Sequence, residues 1–133
     1  MSYVIAYVAV LIVFGTIDAV WLTTMGAILY RPALGDILLQ NLRVVPAIAF
    51  YLIFPIGIVV FAVLPGLRAH SPTTAAALAL LFGSLAYATY DLTNYATLRN
   101  WTLQITVLDI GYGALASSIA ATVAYFAVRL IAR

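Results

Sequence analysis

The sequence predicts an all-α integral membrane protein, an antiparallel four-helix bundle, and three observations support this fold class. First, 66% of the 133 residues are hydrophobic and only 8% are charged, with a mean hydropathy of +1.15. A water-soluble domain of this size has no need for so much apolar surface. Second, four apolar segments each approach the roughly 20 residues that cross a bilayer. Third, the last three segments are joined by short links, which make consecutive helices antiparallel.

These four segments form a single predicted transmembrane domain. The predicted spans are residues 2–30, 44–64, 73–98 and 103–131. Backbone groups in lipid must find hydrogen bonds within their own segment, so each span is predicted to be a helix. Pro55 lies inside the second span and predicts a kink there. The links at 67–72 and 99–102 predict tight turns.

The first link, residues 31–43, is longer than the others. Leu34, Ile37, Leu38 and Leu42 recur in it at helical spacing, while most of its polar residues fall on the other side. This pattern predicts a short amphipathic helix lying on the membrane surface between helices 1 and 2, where it would act as a lid. The alternative is a loop that contains some leucines.

Composition also excludes several kinds of site. The chain contains no cysteine, which excludes disulfides and thiolate metal sites. The net charge of +2 is small and scattered, so no nucleic-acid partner is expected. The single histidine, His70, argues against a histidine metal site. The first apolar segment follows Met1 without a basic region, so it is interpreted as a retained helix rather than a signal peptide.

Three of the four acidic residues fall within predicted spans: Asp18, Asp91 and Asp109. The directions of the helices place all three toward the same membrane face, with Asp91 about 10 Å from the end of its helix at about 1.5 Å per residue. A charge inside a bilayer costs at least about 2.5–3.5 kcal/mol, so intramembrane carboxylates are kept mainly for function. They are the candidate catalytic residues, although polar residues also hold membrane helices together.

Other polar side chains share the same helix faces. On the third helix, Ser84, Tyr87, Asp91, Asn94 and Tyr95 recur at steps of three and four residues, which places them in one stripe. Arg99 has a long side chain and is expected to pair with Asp91 or Asp109. The candidate ligand-binding residues are Trp21, Tyr87, Asn94, Arg99 and Tyr112. On the fourth helix, two rows of small residues predict close helix packing.

Three segments resemble a known family. They read IDAVWL at residues 17–22, ATYDLTNYATLRNW at 88–101 and LDIGYG at 108–113. They resemble an uncharacterised domain-of-unknown-function family of small bacterial membrane proteins, whose most specific part is Tyr-Asp-Leu-Thr-Asn in the third helix. The resemblance implies four spans and a bacterial inner membrane, and it supplies no activity.

The orientation in the membrane depends on a few charges. With four spans, one face carries Arg68, Arg129 and Arg133, and the other carries Arg31, Arg43 and Arg99. Cytoplasmic loops usually carry more arginine and lysine than loops on the other side, but here each face carries three arginines, so this rule does not decide the orientation. The terminal amine and His70 favour cytoplasmic N- and C-termini.

Three functions remain open at this point. The first is a membrane protein that binds or acts on a lipophilic lipid, acyl or isoprenoid ligand, with two carboxyl groups as an acid–base pair. The second is a small proton- or cation-coupled transporter that works as an oligomer, such as a homodimer. The third is a structural or accessory subunit whose polar groups only hold helices together. Membrane lipids are expected partners in each case. A magnesium, calcium or manganese ion held by the three aspartates and Asn94 is chemically reasonable, but nothing fixes the spacing across three helices, so no metal site is predicted and the sequence identifies no cofactor.

Overall fold

The structure is a computed structural model that describes residues 1–132, and these residues form four long helices and no strand. The helices are α1 at Ser2–Leu34, α2 at Val44–Arg68, α3 at Pro72–Thr97 and α4 at Leu103–Ile131. Each is long and apolar enough to cross a membrane. The chain is therefore a multi-pass membrane protein with four candidate spans, as predicted. Arg133, which the orientation argument counted, lies outside the described residues.

The helices pack in chain order around the bundle. The most extensive contact joins α3 to α4, and α4 also packs along α1, while α2 contacts both α1 and α3. At one end of the bundle, Nη1 of Arg129 lies 3.1 Å from Nδ1 of His70. The C-terminal end of α4 therefore lies beside the link between α2 and α3, as an antiparallel four-helix bundle requires.

Small residues let α3 and α4 approach closely. The two predicted rows on α4 are buried throughout: Gly113, Ser117 and Ala121, and Ala116, Ala120 and Ala124. On α3, a Cβ added at Gly83 would lie 2.5 Å from the carbonyl oxygen of Gly113 and 2.5 Å from Oγ of Ser117. Such distances are far below van der Waals contact, so Gly83 is needed for this approach.

Two short π-helical segments interrupt the first two helices. In α1 the segment is Gly26–Tyr30, and in α2 it is Val59–Val63, which begins one turn after Pro55. A π turn closes hydrogen bonds between residues five apart and so holds an extra residue. In α1 this changes which side chains share a face. Trp21 and Tyr30 are nine residues apart, about two and a half turns of a regular α-helix, and would otherwise lie on opposite sides.

The predicted surface helix between α1 and α2 is not present as such. Only Arg31–Leu34 is helical, and it continues α1. Residues 35–43 form turns and bends, and the apolar side chains there are exposed, including Leu42 at 81%. The reason is length, because a helix shorter than about 12–15 residues is marginal unless it packs against something. Leu34 alone is buried, at the end of the bundle.

Candidate intramembrane carboxyl site

Asp18 in α1 is buried and has both carboxyl oxygens occupied. The hydroxyl group of Tyr112 in α4 donates a hydrogen bond of 2.6 Å to Oδ1. The hydroxyl group of Tyr51 in α2 donates to Oδ2. Asp18 therefore joins three helices, and the two tyrosines replace the water that a carboxyl group loses when it is buried.

An aromatic layer lies next to Asp18. The rings of Trp21 and Tyr112 stack with centroids 4.3 Å apart and an interplanar angle of 12°. Tyr87 meets Tyr112 edge to face at 6.0 Å. The Tyr87 ring also lies directly on Gly113, where an added Cβ would lie 2.2 Å from it. Three of the predicted ligand-binding residues, Trp21, Tyr87 and Tyr112, are thus in contact with one another inside the bundle.

Trp21 also connects this layer to a second carboxyl group. Its indole Nε1 donates a hydrogen bond of 2.9 Å to the hydroxyl oxygen of Tyr30. Tyr30 in turn donates a hydrogen bond of 2.5 Å to Oδ1 of Asp109. Asp109 is buried in α4. The π-helical segment that ends at Tyr30 gives this tyrosine its position, so a local helix irregularity sets the orientation of a buried carboxyl group.

Asp91 in α3 has the most unusual environment in the bundle. Its side chain is fully buried, and neither of its oxygens accepts a hydrogen bond from an N–H or hydroxyl group. Its acidic neighbour is Asp109, whose carboxyl group is close enough to interact with it electrostatically. Two ionised carboxylates in such proximity repel each other. We refer to Asp91 and Asp109 as the carboxyl pair.

Phenol groups surround the carboxyl pair. Tyr30 and Tyr90 lie close enough to interact electrostatically with both carboxyl groups. The predicted ligand-binding residue Asn94 lies one turn beyond Tyr90 on α3 and is half-buried. Toward the end of the bundle, Trp101 meets Tyr90 edge to face at 5.5 Å and is buried, with no hydrogen-bond partner for its Nε1.

Apolar side chains close the end of the bundle next to the pair. Leu29, Leu34, Trp101 and Ile105 form a buried cluster from the ends of α1 and α4 and the link before α4. Leu34 and Ile105 are almost completely inaccessible to solvent. This end cluster separates the site from the exposed first link.

A groove of about 280 Å³ opens on the outside of the bundle, between the end of α1 and the beginning of α4. Two of its lining residues, Leu29 and Leu108, are the chain neighbours of Tyr30 and Asp109. The other lining residues are Met25, Ile28, Pro32, Ala33, Thr102 and Gln104. The groove is therefore mostly apolar and borders the helical turns that carry Tyr30 and Asp109.

The three predicted carboxyl groups are all buried but do not form one cluster. Asp91 and Asp109 lie together, whereas Asp18 is bound to two tyrosines on the other side of the Trp21–Tyr112 stack. The expected pairing of Arg99 with Asp91 is wrong, because Arg99 is exposed beyond the end of α3 and the Asp91 oxygens have no partner. The catalytic and ligand-binding roles stay predictions.

The alternative of one metal ion held by all three aspartates does not fit this geometry. Both oxygens of Asp18 already accept hydrogen bonds from tyrosines. In the part of the chain that the structure describes, no group of three histidine, cysteine, aspartate or glutamate side chains is placed to hold a metal ion.

Two residues of the site were not identified from the sequence. Tyr30 stands at the end of the first predicted span, and a regular helix would turn it away from Trp21. Tyr51 was not singled out, although it shares a helix face with the buried Phe54 and Ile58. A single hydroxyl group on an otherwise apolar, core-facing stripe was the available indication that Tyr51 binds a buried polar partner.

Comparison with known proteins identifies a family but no activity. The sequence profile of DUF2177, described as a predicted membrane protein, matches residues 3–126. No curated protein and no solved structure matches the chain. Any statement about function therefore depends on the geometry of the site.

Proposed function

This chain belongs to the DUF2177 family of predicted membrane proteins, and we propose that it binds a lipophilic molecule with its polar head at the carboxyl pair. The ligand class is a lipid, acyl or isoprenoid amphiphile. One observation carries the proposal: Asp91 is fully buried with no donor to either oxygen, beside a second carboxyl group. An unsatisfied buried polar group of this kind costs about 1–3 kcal/mol or more. A site that gains a ligand there recovers this cost.

The groove supports access from the membrane. Its apolar lining suits an alkyl or isoprenoid chain, and Leu29 and Leu108 border the turns that hold Tyr30 and Asp109. A lipophilic ligand would therefore reach the site laterally, without crossing the exposed link at residues 35–43. The two polar lining residues, Thr102 and Gln104, lie near the beginning of α4, where head groups meet water.

Each residue then has a distinct role. Asp91 and Asp109 bind the head group, and either carboxyl group can exchange a proton with it. Tyr30 and Trp21 fix the orientation of Asp109 through consecutive hydrogen bonds. Asp18 has no free acceptor position, so its role in this proposal is to hold α1, α2 and α4 together.

A second candidate is proton- or cation-coupled transport. It is favoured by the same pair, because intramembrane carboxyl groups in contact are typical proton carriers. Four helices leave little room for a pathway within one chain, so transport would use a homodimer. Flux of protons or cations into liposomes, dependent on an added substrate, would select transport over simple binding.

The proposed location is the bacterial inner membrane, with both termini in the cytoplasm. The resemblance to bacterial membrane proteins supports the membrane. The arginines are equally divided between the two faces, and the terminal amine and His70 on the side of the termini favour the orientation. Reporter domains fused to the C-terminus, one active only in the cytoplasm and one only outside it, would decide between the two orientations.

Native extraction tests the binding proposal. The protein is purified in lipid nanodiscs cut directly from the membrane, and the lipids that remain after exchange into synthetic phospholipid are identified by mass spectrometry. We expect an amphiphile to be retained by the wild type and by Asp36→Asn, whose aspartate is exposed in the first link, and lost from Asp91→Asn. Equal retention in all three proteins would contradict the proposal.

A further inference from the structure

We infer that the head group held at the carboxyl pair is a cation, so that the ligand is a long-chain amine or ammonium amphiphile. This inference rests on the proposed function and adds the chemical class of the ligand. It depends on the charges inside the bundle, on the missing donors at Asp91 and on the aromatic surroundings of the pair.

The charges around the pair are all acidic. Arg31, Arg43, Arg68 and Arg99 are exposed. Arg129 lies beside His70 at the opposite end of the bundle. Among residues 1–132, no basic side chain thus neutralises Asp91. A phosphate or carboxylate head group placed here would meet only like charge at a desolvated contact, which is strongly unfavourable.

Hydrogen bonding leads to the same class of ligand. The oxygens of Asp91 need donors, and no hydroxyl group in the described part of the bundle supplies one, since the hydroxyl group of Tyr30 donates to Asp109. An ammonium group brings up to three N–H donors and a positive charge together. An alcohol head group brings one donor and leaves the carboxylate charge uncompensated in a water-poor site.

The aromatic residues favour a cation as well. Tyr30 donates a hydrogen bond to Asp109, Tyr90 lies near both carboxyl groups, and Trp101 packs edge to face on Tyr90. Aromatic rings close to a desolvated cation attract it through the negative charge of their faces. Carboxylates with aromatic rings and no basic residue are a suitable environment for ammonium, whereas a neutral or anionic head group gains little from either feature.

The test uses three ligands with the same alkyl chain: dodecylammonium, dodecanol and dodecanoate. Each is titrated into the protein in nanodiscs of one phospholipid, and the melting temperature is followed by tryptophan fluorescence. We expect dodecylammonium to raise the melting temperature at concentrations at least about tenfold below dodecanoate, because of the like-charge cost. It should also act below dodecanol, which leaves the carboxylate charge uncompensated. The effect should be lost in Asp91→Asn and kept in Asp36→Asn.

The outcomes distinguish an error in the ligand class from an error in the proposed binding site. If dodecanol or dodecanoate binds as well as dodecylammonium and the effect depends on Asp91, the ligand class is wrong but the binding site stands. If no ligand acts through Asp91, both fail. An equal effect of dodecylammonium on Asp91→Asn would show adsorption to the bilayer and would also overturn the inference. If Asp91→Asn does not fold, Asp109→Asn is the second variant and the same outcomes apply.

Discussion

Asp91 and Asp109 place their carboxyl groups close together across the contact between α3 and α4, and neither oxygen of Asp91 has a hydrogen-bond partner. Asp18, in the same bundle, has a tyrosine hydroxyl group on each of its oxygens. The same type of residue therefore occurs in two opposite states of hydrogen bonding. One state stabilises helix packing, and the other costs stability and is expected where a ligand binds.

The two tyrosines on Asp18 should be important for stability. Replacing Tyr51 or Tyr112 by phenylalanine removes one donor from a buried carboxyl group, which costs about 1–3 kcal/mol. The measurement is the free energy of unfolding in mild detergent. Tyr3→Phe is the matched control, because Tyr3 is exposed near the N-terminus. A loss as small as that of the control would show that these hydrogen bonds contribute little.

The glycines of α3 and α4 should differ sharply in their tolerance of a methyl group. Gly83→Ala places a Cβ 2.5 Å from the Gly113 carbonyl oxygen and should cost about 1–3 kcal/mol through overpacking. At Gly111 nothing lies within 4 Å of the added atom, so Gly111→Ala should be neutral or slightly stabilising. Thermal unfolding of the two variants compares them directly. Equal melting temperatures would mean that the α3–α4 contact is looser than described.

Replacing Tyr30 should reduce ligand binding at the carboxyl pair. Tyr30→Phe removes the donor to Asp109 and the acceptor of the Trp21 indole. We expect retention of the bound amphiphile to fall several-fold, since the orientation of Asp109 is lost. Trp21→Phe keeps the bond from Tyr30 to Asp109 and should reduce retention less. The order of the two effects in the nanodisc assay checks this, and a larger loss in Trp21→Phe would contradict the role given to Tyr30.

The first link should be open to water up to the end of α1. Leu38 is 43% exposed and outside any helix, whereas Leu34 is 2% exposed in the end cluster. In this cysteine-free chain, Leu38→Cys should react rapidly with a water-soluble thiol reagent and Leu34→Cys slowly. Rapid reaction at both positions would show that the end cluster does not seal the site. Slow reaction at both positions would show that the first link is shielded from water, as the predicted lid requires.

Much of the fold follows from the sequence, because each span is set by length and hydropathy. The burial of the three aspartates was also predictable, since helical spacing places Asp91 on the stripe with Tyr87 and Asn94. Their partners were not predictable. Spacing along one helix does not determine which tyrosine of another helix meets Asp18, so Tyr51 was missed.

The other differences between the predicted and the observed structure arise where a helix is irregular or ends. The π-helical segment Gly26–Tyr30 turns Tyr30 toward Trp21, and no pattern of period 3.6 anticipates this. α3 ends at Thr97, so Arg99 lies beyond the helix and is exposed instead of reaching the carboxyl pair. The first link has the apolar spacing of a helix but too few residues to form one unsupported.

The most direct test compares Asp91→Asn with Asp18→Asn, by measuring both the melting temperature and the retained amphiphile for each. Asparagine keeps the shape of the side chain and removes its charge. At Asp91 no donor is lost, so the melting temperature should stay the same or rise while retention is lost. At Asp18 two tyrosine hydroxyl groups lose a carboxylate acceptor, so the melting temperature should fall. A lower melting temperature in Asp91→Asn together with full retention of the ligand would contradict the account.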